Sequence, residues 1–265
     1  MDLRSLAISF NERTALTTRA PQSSPVVLAY HSIGVDGGFD NISVSDFRTQ
    51  IEWLDNYYDI VPLSDVVAGE KLDNRHVAVT FDDGLASFYR NALPVLAEHS
   101  VPATVFVLAS VIEPHESIDL DRIVTDRLET PEKLMTRDTL DELVDDPLIE
   151  IGGHTWTHPE LPEIDDPDRL EEELVESKRI LESEFGVAID QFAYPYYAWD
   201  NRTQEIIERT YSIGVRGDGL DEPIGRTTDP HLIPRISGGV EPSRLKFRVS
   251  SIGRMLLRIG KRWYC

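Results

Sequence analysis

The chain has one cysteine in 265 residues, and it is the last, Cys265. No disulfide can form within it, so its stability comes from burial and polar pairing, and a reducing compartment suits it. Lysine is scarce as well. Only five lysines (Lys71, Lys133, Lys178, Lys246 and Lys261) stand among 26 cations, against 47 Asp plus Glu, for a net charge of −21. That balance disfavours nucleic acid as a partner, because the phosphate backbone would be repelled. It suits a salt-rich cytoplasm and a salt-adapted (halophilic) source, where hydrated carboxylates keep a protein dissolved and salt screens their repulsion. Long apolar runs are also missing. Nothing approaches the ~18 residues of a membrane-spanning helix, and the opening "MDLRSLAISFNERTAL" is too poor in apolar residues for a secretory signal. The expectation is a cytoplasmic body long enough to bury a full core.

What is present alternates. Apolar, β-rich stretches at 26–31, 76–81, 103–110, 148–154, 191–195, 212–217 and 231–236 read as strands. Helical spacing separates several of them. In "SDFRTQIEWLDNYY" the residues Phe47, Ile51 and Leu54 share a face behind a Ser45 cap, and residues 166–185 place Leu170, Leu174 and Leu181 inward before a stop at Gly186. Strand–helix alternation predicts a parallel sheet with crossover helices, open or closed into a barrel, and chemistry at the C-terminal strand ends. The polar residues 1–24 read as a loosely attached N-terminal segment, 25–243 as one α/β domain, and 244–265 as a separate basic tail.

Three of those strand ends carry polar groups that an apolar strand does not need: Tyr30-His31, Asp82-Asp83-Gly84, and His154 in "GGHTWTHP". Neighbouring strand residues point to opposite faces, so Asp82 and Asp83 share one site only if the strand breaks there, which Gly84 permits. His154 and His158 lie four apart, and one tight turn brings both imidazoles to one ion. Two histidines and a carboxylate form a ligand set for a divalent metal with open positions. The metal also resolves the adjacent carboxylates: one coordinates, and the other stands beside a cation as a general base toward a metal-bound water. His76, His99 and His115 read as surface or capping residues.

These residues resemble the polysaccharide deacetylase superfamily (NodB homology, carbohydrate esterase family 4). "TFDDG" is similar to its first motif, "HTWTHP" to its second, and "FAYPYYAWD" (192–200) to its third, in order across roughly 26–240. The resemblance implies a distorted (β/α) barrel of the NodB-homology type and metal-dependent hydrolysis of an N-acetyl or formyl group on a sugar. It makes Asp82 the general base, Asp83, His154 and His158 the metal ligands, zinc the default ion, and the Tyr196 N–H an oxyanion donor. In the branch resembling poly-N-acetylglucosamine deacetylases, the histidine of an early Tyr-His is the general acid, which points to His31, with His231 as the rival. The third motif departs from the pattern twice. Its arginine is Ala193, for which Arg235 in "LIPRI" is a replacement brace on Asp82. Its glycine is Tyr197, which with Tyr194 and Trp199 either lines a sugar-stacking wall or packs the rim; Trp156 is a further substrate-contact candidate. The acidic insertion at 111–147 is expected to shape the pocket rim. Alternatives are hydrolysis of a non-sugar amide on the same scaffold, and a non-catalytic glycan-binding protein.

The tail concentrates what the rest lacks. Residues 244–265 hold seven cations and no acid, which leaves −28 on the other 243 residues. Ile252, Met255, Leu256, Ile259 and Trp263 follow helical spacing with Arg254, Arg258, Lys261 and Arg262 around them. That pattern fits an interfacial helix at the inner membrane face, a helix docked on the acidic barrel, or a protein partner. Membrane contact would make a lipid-linked sugar an attractive substrate.

Overall fold

The computed structural model describes residues 24–67, 75–116, 119–217, 219, 222–250 and 252–255. Most of the N-terminal segment (1–23) and the distal tail (256–265, with Leu256, Arg258, Ile259, Lys261, Arg262, Trp263 and Cys265) lie outside the described residues. Among the described residues no helix is long and apolar enough to cross a membrane.

The apolar runs form strands because β-branched and aromatic side chains pack well on a pleated surface buried on both faces. They are β1 (Val26–Tyr30), β2 (Asp59–Ile60), β3 (His76–Phe81), β4 (Ala103–Val107), β5 (Ile149–Gly153), β6 (Gln191–Ala193), β7 (Ile213–Arg216), β8 (Ile233–Pro234) and β9 (Ile236–Ser237). All pair in parallel, in the order β8-β7-β6-β5-β4-β3-β1-β9, with β2 added to the start of β3. The run 231–236, expected as one strand, divides at Arg235. β8 pairs with β7 (Val215 opposite Ile233) and β9 with β1 (Leu28 opposite Ile236). The two ends of the sheet are therefore joined through one residue, whose N–H donates to the Arg216 carbonyl and whose carbonyl accepts from Gly219, both at 2.9 Å. The result is a nearly closed barrel with that stave as its seam.

Alternation along the strands sorts side chains to two sides. Val27, Ala78, Phe106, Ala193, Val215 and Ile233 form one buried cluster, the lumen. Leu28, Val79, Val105 and Phe192 join helical residues such as Ile51, Leu54, Leu174 and Ile207 in a second, larger cluster, the layer between barrel and helices. The same parity carries Thr80 and Asp82, two and four residues after Ala78, and Arg235, two after Ile233, toward the lumen.

Around the barrel lie α1 (Val44–Tyr57), α2 (Leu63–Val67), α3 (Leu93–His99), α4 (Arg137–Val144), α5 (Pro167–Glu171), α6 (Ser177–Phe185), α7 (Asn201–Thr210) and α8 (Pro242–Val249). The cap of α1 is Ser43 and not Ser45: its Oγ accepts from the Asp46 N–H at 3.1 Å. The stop of α6 is Gly186, at φ +67°. A π-type turn, Glu172–Glu176, joins α5 to α6. α8 packs on α1 with Leu245, Phe247 and Val249 buried. Beyond it the expected amphipathic arrangement is inverted at two positions. Arg254 is buried and its Nη1 donates to Ser24 Oγ at 2.9 Å, while Met255 is 53% exposed. The Arg254 Nη2 also donates to the Ser24 carbonyl at 3.2 Å.

Candidate active site

The mouth of the barrel lies at the C-terminal strand ends, and the expected residues gather there. β3 ends at Phe81 and the chain turns at once: Asp83 has φ +69° and Gly84 φ +66°. The break thus falls on Asp83 itself as well as on the glycine, and it lets both carboxylates face one cleft. That cleft, about 290 Å³, is lined by His31, Asp82, Asp83, His154, His158 and Tyr196, among others.

Asp82 is held by Arg235. The guanidinium donates from Nη1 to Oδ1 and from Nη2 to Oδ2, both at 2.6 Å, and Nη1 also reaches Thr80 Oγ1 at 3.0 Å. Both residues are almost fully buried, Arg235 at 1% and Asp82 at 3% exposure. Burial alone would raise the Asp82 pKa, but the charge and hydrogen bonds of Arg235 outweigh it and hold it below the ordinary carboxylate value. The Arg235 Cζ also lies 5.6 Å from the Phe106 ring centroid and 5.7 Å from that of Tyr197.

Asp83, His154 and His158 form a second cluster, with one ligand atom from each within 4.8 Å of the others. His154 Nε2 stands 3.2 Å and His158 Nε2 3.4 Å from Asp83 Oδ1. Burial would raise the Asp83 pKa; hydrogen bonds to the two imidazoles hold it well below the ordinary value. Burial lowers that of His158, more than the neighbouring Asp83 raises it. The His154 Nδ1 lies 2.7 Å from the Ala193 carbonyl, which can only accept, so Nδ1 carries the proton. Nε2 is then the atom that His154 turns toward Asp83. Two imidazole nitrogens and a carboxylate oxygen thus converge on one point. The donor set fits a divalent metal held by Asp83, His154 and His158, with the Ala193 carbonyl fixing the tautomer of one ligand.

His31 follows β1, buried, with Nε2 3.7 Å from Asp82 Oδ2 and Nδ1 3.7 Å from Asp40 Oδ2. Burial would lower its pKa, but the carboxylate of Asp40 beside Nδ1 and the charges of Asp83 and Asp82 raise it above the ordinary imidazole value. His231 lies elsewhere. It precedes β8, at the N-terminal end of the barrel, and its Nε2 donates to the Tyr211 carbonyl at 3.1 Å. In a parallel barrel that is the end opposite the cleft.

The third-motif turn carries two left-handed residues, Tyr196 (φ +53°) and Tyr197 (φ +59°). Tyr197 occupies a conformation that glycine adopts freely and other residues rarely do. Its ring lies over Arg235 and against Gly217, where an added Cβ would come 2.2 Å from a ring carbon. Tyr196 is half exposed, its ring 4.7 Å from that of His158, and its hydroxyl donates to the Arg127 carbonyl at 2.8 Å. Tyr194 is buried edge-on to Phe192, and Trp199 does not line the cleft. Trp156 does not line it either: its Nε1 donates to the Glu113 carbonyl at 2.7 Å, and its ring stands edge-on to His115. Of the expected aromatic wall, Tyr194 and Tyr197 reach the cleft and Trp199 does not; the Tyr196 ring and an unforeseen Phe39, half exposed and edge-on to His31, stand with them.

Sequence reasoning missed Asp40, Phe39, Arg127 and Glu129. The last two line the cleft from the 111–147 insertion. Arg127 and Glu129 had no motif to mark them; the positive φ of Glu129 (+48°) has no sequence signal.

Comparison with known proteins agrees with this architecture. Residues 69–212, more than half of the chain, match the family model described as polysaccharide deacetylase. The matched span contains Asp82, Asp83, His154, His158 and Tyr196, but neither His31 nor Arg235. The chain is 30% identical over 159 residues to the chitooligosaccharide deacetylase of Rhizobium leguminosarum bv. trifolii, covering 60% of this chain and 59% of that one. It is 28% identical over 144 residues to the poly-beta-1,6-N-acetyl-D-glucosamine N-deacetylase of Escherichia coli (strain K12), covering 51% of this chain and 21% of that protein. Among solved structures, IcaB from Ammonifex degensii superposes with a TM-score of 0.70 at 24% identity, over 87% of this chain and 97% of that one. That last likeness is one of fold.

Proposed function

Because the chain belongs to the polysaccharide deacetylase family, we propose that it is a metal-dependent N-deacetylase of N-acetylglucosamine-containing glycans, oligomeric or polymeric. The observation that carries the reading is the pairing, in one cleft, of a buried Arg235-clamped carboxylate with an adjacent carboxylate facing two imidazoles. The names of the two relatives, which act on a chitooligosaccharide and on poly-β-1,6-N-acetylglucosamine, support the sugar class.

Asp83, His154 and His158 would hold a divalent cation, with zinc the ion their nitrogen and oxygen donors suit. Bound there, the cation supplies Lewis-acid chemistry to water and to an acyl carbonyl. The chain's own groups do the rest. Asp82, kept ionised by Arg235, takes the proton from the attacking water. The Tyr196 backbone N–H donates to the oxygen of the acetyl carbonyl as negative charge develops on it. His31, on the far side of Asp82 and raised in pKa by Asp40, carries a proton on Nε2 and gives it to the departing amine. The amide C–N bond breaks, and acetate and a free amino sugar leave. Phe39 and Tyr196 offer half-exposed rings at the cleft for a pyranose face.

The test is metal content measured together with acetate release from an N-acetylglucosamine oligomer, in high salt, for wild type and Asp82→Asn. About one metal in each, with acetate from wild type alone, is the expected result. No metal in either after zinc addition would overturn the reading.

A further inference from the structure

The two histidines of the metal cluster are joined by the turn 155–158, and that turn is unusual. Thr155 and His158 both sit at positive φ (+68° and +56°), and neither is glycine. Left-handed backbone is costly for an ordinary residue, and it persists where surrounding structure holds it. Between these two residues the backbone N–H groups of Trp156 and Thr157 point the same way, and both donate to a single oxygen, Oε2 of Glu173, at 2.8 Å. The other oxygen, Oε1, accepts the Thr157 hydroxyl at 2.5 Å and an Nη2 hydrogen of Arg169. Glu173 is completely buried, at 0% exposure, in the π-type turn between α5 and α6. Among the described residues, the groups that hydrogen-bond its carboxylate belong to Trp156, Thr157 and Arg169, none of which lines the cleft.

We infer that Glu173 is a positioning residue for the metal centre: its carboxylate holds the 155–158 turn in the left-handed conformation that aims His158 Nε2 at Asp83. The inference rests on the proposed metal-dependent reading of the cluster. The turn's carbonyls are tied as well, Thr155 to the Ala109 N–H at 3.1 Å and Trp156 to the Ser110 N–H at 3.2 Å, while its two successive N–H groups both end on Glu173. Its remaining internal bond, His158 N–H to Thr155 Oγ1 at 3.0 Å, closes the loop without fixing where the loop sits. The placement extends to the cleft rim, because Arg127 Nη1 donates to Thr157 Oγ1 at 2.9 Å and to the Thr157 carbonyl, while the Arg127 carbonyl accepts the Tyr196 hydroxyl. One buried carboxylate thus sets the second imidazole and, through Thr157 and Arg127, the ring of Tyr196. A charge is needed there. A single anionic oxygen can accept from two N–H groups while its twin accepts a hydroxyl and a guanidinium, which a neutral amide cannot do without turning its NH2 toward donors.

The experiment measures zinc dissociation constants by competition with a chromophoric chelator for wild type, Glu173→Gln and Thr157→Val, with far-UV circular dichroism and thermal unfolding alongside. Loss of an outer partner of a ligating histidine weakens metal affinity by about 10–100-fold, and that is the expected shift for Glu173→Gln at native secondary structure. Thr157→Val, which removes one of the four bonds to the carboxylate, is expected to weaken zinc by roughly threefold or more in the same direction, and it decides the matter where Glu173→Gln does not fold. A role confined to stability would lower the melting temperature and leave the zinc constant within about threefold of wild type in both variants; that result overturns the inference. A wild type that takes up no zinc would overturn the functional reading itself, and the position of Glu173 with it.

Discussion

Replacing Arg235 by Met should change how stability depends on pH, and the direction follows from the burial of the pair. In the wild type Asp82 is ionised at a depressed pKa because Arg235 outweighs its desolvation. A depressed carboxylate contributes stability that is fully present above its unfolded pKa of about 3.9 and is lost as pH falls through the folded value. In Arg235→Met the carboxylate stays buried with its counter-charge gone, so desolvation prevails and the folded pKa rises above the unfolded one. Its contribution then reverses: it is present below the unfolded pKa and lost as pH rises through the folded one. Breaking a buried pair by removing one partner costs about 3–5 kcal/mol. At about 2 °C per kcal/mol for a chain of this size, the melting temperature should fall by ~6–10 °C at pH 8 and by much less near pH 4.5. The assay is scanning calorimetry of chelator-treated wild type and variant across that range, with zinc content and acetate release measured in parallel at pH 8. Zinc binding should persist while acetate release collapses. A destabilisation that is the same at pH 4.5 and pH 8 would refute the reasoning, because it would mean that the charge of Asp82 plays no part.

Three further outcomes are expected. With its pKa raised, His31 keeps its proton past the ordinary imidazole value, so kcat/KM should fall only as pH rises through that higher value. Asp40→Asn should move this alkaline limb to lower pH, and His31→Gln should abolish it while lowering the rate about 10²–10⁴-fold. Gly217→Ala should destabilise by about 1–3 kcal/mol through overpacking against Tyr197, a penalty that calorimetry should find absent in a Tyr197→Gly background. Asp83→Asn should lower zinc occupancy measured by atomic absorption, whereas Asp82→Asn should leave it intact.

Much of the barrel was legible from local pattern. The strands at 26–30, 76–81, 103–107, 149–153, 191–193 and 213–216 lie within the apolar runs that predict them, because a strand buried on two faces needs only continuous β-rich residues. The residues that meet in the cleft were legible too, since polar groups at apolar strand ends stand out and parallel strands share one C-terminal end. What stayed hidden is of another kind. The division of residues 231–236 depends on which neighbours flank Arg235, a matter of ring closure and not of propensity. The Ala193 carbonyl that orients His154 has no side-chain signature. Glu173 sits among Glu171, Glu172 and Glu176, and nothing in a run of acids tells which one a π-type turn draws inward. The brace that the sequence did suggest, Arg235 in place of an arginine at 193, lies 153 positions from Asp82, and only the closed barrel creates that contact.

The seam at Arg235 has a consequence for synthesis. A ribosome adding about 5–20 residues per second delivers Asp82 roughly 8–30 s before the residue that neutralises it. During that interval β1 has no partner on its outer side, since β9 is still to come. Open parallel edges invite pairing with other chains, and contacts of such long sequence separation form slowly. Ring closure and charge neutralisation then arrive on the same peptide. A chain interrupted before residue 235 lacks both the strand that closes the sheet on β1 and the counter-charge of Asp82.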